Sequence, residues 1–186
     1  IRLIGRPVIL DDAGSARPVR GHQSWALLAR ILLSDRPLDR RALSTELFPA
    51  AADPLGALRW CLAGLRRAIG SPDSFTGDPV DVALPAGIVV DVEDLESGRF
   101  DIERSGDFLD RIAPRSSFEL DMWLMVQRQR IAGLIDAQTR AEALRCLSEG
   151  DTQCAVHLAT IGVQRAALDE RAHVVLVKSL VAAGSH

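Results

Sequence analysis

The stretch DPLGALRWCLAGLRRAIG, Asp53 to Gly70, decides how the front of this chain folds. Asp53 can accept hydrogen bonds from the free amides of a first helical turn, and Pro54 sits where no amide donor is needed, so the pair predicts a helix start. Gly70 predicts its end. Between them Leu55, Leu58, Leu62, Leu65 and Ile69 recur at intervals of three and four, which at about 3.6 residues per turn forms one buried stripe. The opposite side carries Gly56, Trp60, Ala63, Gly64 and Arg67, with Arg59 and Arg66 on a flank.

Working outward, IRLIG and RPVIL at the start are two short β-compatible runs parted by Gly5 and Arg6, and they predict a small antiparallel sheet. GHQSWALLARILLSDRP places Trp25, Leu28, Ile31 and Leu32 at helical spacing, which predicts a helix from about His22 to Ser34. DRRALSTELFP predicts a second, short helix capped by Asp39 and ended by Pro49. Past Gly70, the β-branched runs Val80 to Leu84 and Ile88 to Val92 flank Pro85, Ala86 and Gly87, and a hairpin fits them best. Sheet, three helices and hairpin give an α+β N-terminal winged helix over residues 1–92, followed by an all-α domain over 93–186. In that rear part Gly150 and Asp151 stop one helix and cap the next, and a further break falls near Leu168 and Asp169. The last helix pair resembles one tetratricopeptide unit, which is expected to stack on a further repeat beyond AAGSH. Phe118, Trp123, Leu124, Ile131 and Leu134 follow a helical stripe and are expected in the core.

The chain has 186 residues, 47% of them hydrophobic and 25% charged, which suits two small cores. Its net charge of −3 is unevenly spread: residues 1–75 hold 11 Arg against 7 acids, and the remainder 11 Lys or Arg against 18 acids. A basic front thus precedes an acidic rear. No apolar run reaches the roughly 18 residues of a membrane span, and nothing at Ile1 has the form of a signal peptide, so a cytoplasmic protein with no membrane partner is expected. Cys61, Cys146 and Cys154 lack paired CxxC spacing and read as buried thiols, and the lone C-x-x-H of Cys154 and His157 is too little for zinc. No glycine-rich phosphate loop, GxSxG elbow or H-E-x-x-H is present, and His22, His157 and His173 read as caps or core-edge residues. Neither catalysis, a cofactor, a metal nor a small-molecule ligand is expected.

Several segments together carry a family resemblance: RGHQSWALLARILL, RRALSTELFP, DPLGALRWCLAGLRRAIG, VDVEDLESG, GDFLDRI, FELDMWL followed by QRQRI, and DERAHVVLVKSLVAAG. In this order and spacing the chain resembles the bacterial transcriptional activator domain regulators, which join a winged helix to a helical domain. The resemblance implies a transcriptional regulator of the activator type, whose third helix meets double-stranded promoter DNA. It also implies a helical domain that handles assembly, as a dimer, or contact with the transcription machinery. The residues it points to are Arg40, Arg41, Arg59, Trp60, Ala63, Arg66 and Arg67. Arginines at these places can pair with backbone phosphates, while Gly56, Ala63 and Gly64 bring no side-chain hydrogen bond to a base edge. The expected contact is therefore mainly electrostatic, and replacing Arg66 and Arg67 together should flatten the salt dependence by up to about 2 in log–log slope. The segment between Arg67 and Arg99 holds Asp73, Asp78, Asp81 and Asp91 but no Lys or Arg, so it favours DNA only if its acids turn away. The alternative is a regulatory interaction module in which the same face, through Trp60, docks a protein.

Overall fold

Asp53, Asp39, Asp151 and Asp169 each cap a helix, and their side chains fix where the main elements begin. In the computed structural model, which describes residues 1–184, the Asp53 carboxylate accepts from the Gly56 amide at 2.8 Å and Asp39 from Ala42 at 2.9 Å. Asp151 accepts from Cys154 and Asp169 from Arg171, each at 2.9 Å. The elements are strands β1 (Ile9–Leu10) and β2 (Ala16–Arg17), then helices α1 (His22–Leu32), α2 (Arg40–Leu47), α3 (Pro54–Ile69) and α4 (Asp91–Glu96). A 3-10 turn (Ile102–Arg104) leads to α5 (Phe118–Ser148), α6 (Thr152–Arg165) and α7 (Glu170–Ala182). Ser185 and His186, the end of the predicted 93–186 domain and of the AAGSH segment, lie outside the described residues.

The chain forms two units that interleave in sequence. Residues 1–94 and 106–129 make the first, and 95–105 with the chain from Arg130 onward make the second. In the first unit α1, α2 and α3 pack on one another through Leu27, Leu28, Leu43, Leu47, Leu58, Leu62 and Leu65, all essentially without exposed surface. The beginning of the chain is stitched to a later segment of the same unit: Gly5 and Leu109 donate backbone hydrogen bonds to Asp107 and Leu3 respectively. Gly106 is required there, because a Cβ would stand 2.8 Å from the Gly5 Cα. In the second unit α6 packs on α7, and Ile102, Ala143, Cys146, Ala155, Leu158, Ala159 and Val175 form the core.

The winged helix expected from the sequence is not the fold. The chain is mostly helical, and its sheet among the described residues is the two-stranded β1–β2 pair, with Ile9 opposite Arg17 and Leu10 opposite Ala16. The hairpin over Val80–Leu84 and Ile88–Val92 does not form, because its backbone groups are satisfied elsewhere. Val80 donates to the Leu38 carbonyl at 2.8 Å, Asp81 to Thr76 at 2.7 Å, and Ile88 folds back onto Pro85. At Asp91 the second run turns into α4. The Asp91 carboxylate accepts from the Leu3 and Ile4 amides at 2.8–2.9 Å, and burial pushes its pKa up against the opposing pull of those bonds. Valine-rich composition signals extended backbone but not a partner, and here the partners lie far away in sequence.

Four smaller expectations change as well. The buried face of α3 is Leu58, Cys61, Leu62, Leu65 and Ala68, while Leu55 is 37% exposed and Ile69 half-buried, so the stripe is rotated toward Cys61. Phe118 is 75% exposed at the first position of α5, where Leu120 and Leu124 are buried instead. Leu134 is half-buried beside a buried Ile135. Cys146 and Cys154 are not free thiols but a disulfide: the Gly150–Asp151 turn brings the end of α5 and the first turn of α6 to a Cα separation of 5.9 Å, within bonding reach. Cys61 remains free and buried, and desolvation holds its thiol above the ordinary value, which suppresses the reactive thiolate.

Candidate nucleic-acid interface

The caps and the buried stripe of α3 determine what its other side presents. With Leu58, Leu62 and Leu65 turned to α1 and α2, the residues Arg59, Trp60, Ala63 and Arg67 are exposed and Gly64 is half-exposed. Trp60 keeps 56% of its surface in solvent, a large value for an indole. Arg59 lies 3.6 Å from Asp53 in a pair whose side chains are each about two-thirds exposed, so the guanidinium is available for exchange. Among the described residues, Arg67 reaches only the carbonyl of Ala63, one turn back on its own helix, at 3.3 Å. Gly56 belongs to the cap: a Cβ there would run into the Asp53 carboxylate that the helix start depends on.

Arg66 is committed elsewhere. Its Nε donates to the Ser74 carbonyl at 2.7 Å and its Nη2 to the Phe75 carbonyl at 2.6 Å. Phe75 is fully buried and takes a left-handed backbone (φ 60°), a conformation that costs a non-glycine residue about 1–3 kcal/mol. Arg66 thus clamps the turn that swings the chain away from α3. Arg66→Ala is expected to destabilise the protein by about 1–3 kcal/mol, because two carbonyls lose a charged donor. Chemical denaturation reads this directly, and an unchanged midpoint would mean that the clamp contributes nothing.

On α2 the two arginines part company. Arg40 is half-buried and donates through Nε to the Gly77 carbonyl, while its backbone amide donates to Asp78 Oδ1 at 3.0 Å. Arg41 is exposed, and the hydroxyls of Ser44 and Thr45 donate to its backbone carbonyl. Of the seven residues singled out in the sequence, the structure therefore leaves Arg41, Arg59, Trp60, Ala63 and Arg67 on the surface. It ties Arg40 and Arg66 to the loop between α3 and α4. Two of the acids after Arg67 are occupied as well: Asp78 caps onto Arg40, and Asp91 faces inward to Leu3 and Ile4.

The surface beside Trp60 includes two residues that helical spacing could not reveal. Arg17 at the end of β2 and Arg20 just before α1 stand across from Trp60 and Arg67. Their sequence signal was only the pair of arginines in SARPVR, within a turn-rich run. Each of the three described histidines has a hydrogen-bond partner: the Ala113 amide donates to His22 Nδ1, His157 meets Glu103 at 2.6 Å and His173 meets the Ala167 carbonyl at 2.8 Å. Among the described residues no group of three or more His, Cys, Asp or Glu comes together as a metal site, and no helix is long and apolar enough to cross a membrane. No family model matches the chain and no curated protein matches it.

Proposed function

We propose that this protein is a DNA-binding transcriptional regulator of the activator type, acting in the cytoplasm, that meets promoter DNA with the outward side of α3 and the start of α2. The observation that carries the reading is the pair of exposed arginines Arg59 and Arg67 flanking the small residues Ala63 and Gly64 on the outward side of α3, with Arg41 exposed at the start of α2, on a chain whose net charge is negative. Guanidinium groups pair with phosphate oxygens, and the absence of bulk between them lets a helix approach a duplex backbone closely. The segments that resemble the bacterial transcriptional activator domain regulators support the same reading. In it the second unit serves assembly, with a second copy of the chain or with the transcription machinery. Because Ala63 and Gly64 cannot hydrogen-bond to base edges, one copy binds mainly by charge and with modest specificity.

The direct test is binding to a pool of random duplexes across a salt series. Affinity should fall steeply with salt, each neutralised phosphate adding about 0.9 to the log–log slope. No binding to the pool at low salt would contradict the proposal. Trp60 favours a second reading, in which this face docks a protein: an exposed indole is the residue type that most often anchors such contacts. On that reading Trp60→Ala weakens a protein partner and leaves the salt slope alone.

A further inference from the structure

The outward side of α3 borders a cleft of about 510 Å³. Arg17, Pro18 and Arg20 form one wall, and Trp60, Gly64 and Arg67 form the other. The volume falls within the roughly 300–1,000 Å³ of small-ligand clefts. Three guanidinium groups line it and no carboxylate does. Arg20 has no side-chain hydrogen bond or ion pair within the described residues, and Arg67 has only the Ala63 carbonyl at 3.3 Å. Arg17 is paired with Asp11 at 3.2 Å, but the arginine is half-exposed and the pair can open to an incoming anion. Gly64 keeps the space clear, since a Cβ there meets nothing within 4 Å.

Positive charge beside an exposed indole is a pairing with a specific chemical complement. Phosphate suits the forked guanidinium donors, and a flat heterocycle suits the indole face. A base inside a duplex has both its faces covered by neighbouring bases, so what can lie against Trp60 is an unpaired one. We propose that this cleft binds an unpaired nucleotide, with its phosphate held by Arg20 and Arg67 and its base against Trp60. The site shares Arg67 and Trp60 with the duplex-facing surface but not Arg20, and it does not require that surface to bind duplex DNA.

The experiment is a titration of the full chain's tryptophan fluorescence with AMP, adenosine, inorganic phosphate, single-stranded oligothymidylate and a blunt duplex. Quenching by AMP or by the single strand is expected, absent in Trp60→Ala, with adenosine at least about tenfold weaker than AMP for lack of the charged hydrogen bonds. AMP binding assigns the nucleotide to a free small molecule, and binding of the single strand alone assigns it to a polynucleotide. Arg20→Ala and Gly64→Leu, both at surface positions and checked for unchanged melting, should each weaken the bound species by about tenfold or more. The proposal is overturned if neither AMP nor the single strand binds at millimolar concentration, or if both variants bind as tightly as the parent. Should these arms fail while the duplex still binds, the cleft assignment falls and the duplex reading stands; nucleotide binding without duplex binding is the converse.

Discussion

Leu62→Ala is expected to lower the stability of the protein by about 2–5 kcal/mol. Leu62 has no exposed surface and sits between Leu58 and Leu65, at the centre of the face that α3 turns to α1 and α2. Removing its three outer carbons forfeits their transfer from water and leaves a void that a close-packed core fills only in part. Leu55→Ala supplies the contrast. It belongs to the same leucine repeat in the sequence, but with 37% of its surface in solvent it should cost about 1 kcal/mol or less. Urea midpoints of the two variants check the rotated stripe, and equal losses at both positions would contradict it.

Trp123→Ala should cost about 3 kcal/mol, toward the lower end for a buried tryptophan because this one is only half-buried. The indole lies under the Arg30 guanidinium, 5.1 Å from ring centroid to the charged carbon, and Arg30 is itself held by Glu46 at 3.0 Å. Truncation therefore removes packing against α1 and also the cation–π contact, worth about 0.5–1 kcal/mol where solvent reaches it. Trp123→Phe keeps a ring beneath the guanidinium and should recover much of the loss. Thermal melts of the pair decide the matter, and unchanged melting in Trp123→Ala would remove this side chain from the core.

The helices were legible in the sequence where a cap and a period agreed. Asp53, Asp39 and Asp151 act within their own first turn, so four residues of sequence contain the whole interaction. The hairpin was not legible, since pairing is decided by what else competes for the same amides. Leu38, Thr76 and the beginning of the chain take those of Val80, Asp81 and Asp91, and no local pattern announces it. Phe118 fell on the predicted stripe yet lies at the first position of α5, where the helix has only just begun to face the core. The arginines divide on the same principle. Spacing placed Arg59, Arg66 and Arg67 together, but only the fold shows Arg66 spent on Ser74 and Phe75, and only the fold brings Arg20 across from Arg67. The disulfide required knowing that the turn at Gly150 brings Cys146 back to Cys154.

The most direct test of the duplex-facing surface is the salt slope of Arg59→Ala combined with Arg67→Ala, measured against the parent on several duplexes of unrelated sequence. Both residues are exposed and anchor no loop, so melting should be unchanged. If they neutralise two phosphates, the log–log slope should flatten by up to about 2, and affinity should fall by a similar factor on every duplex, because backbone contacts do not distinguish sequences. A double variant that retains the parent's slope and affinity would contradict the account and remove α3 from contact with DNA.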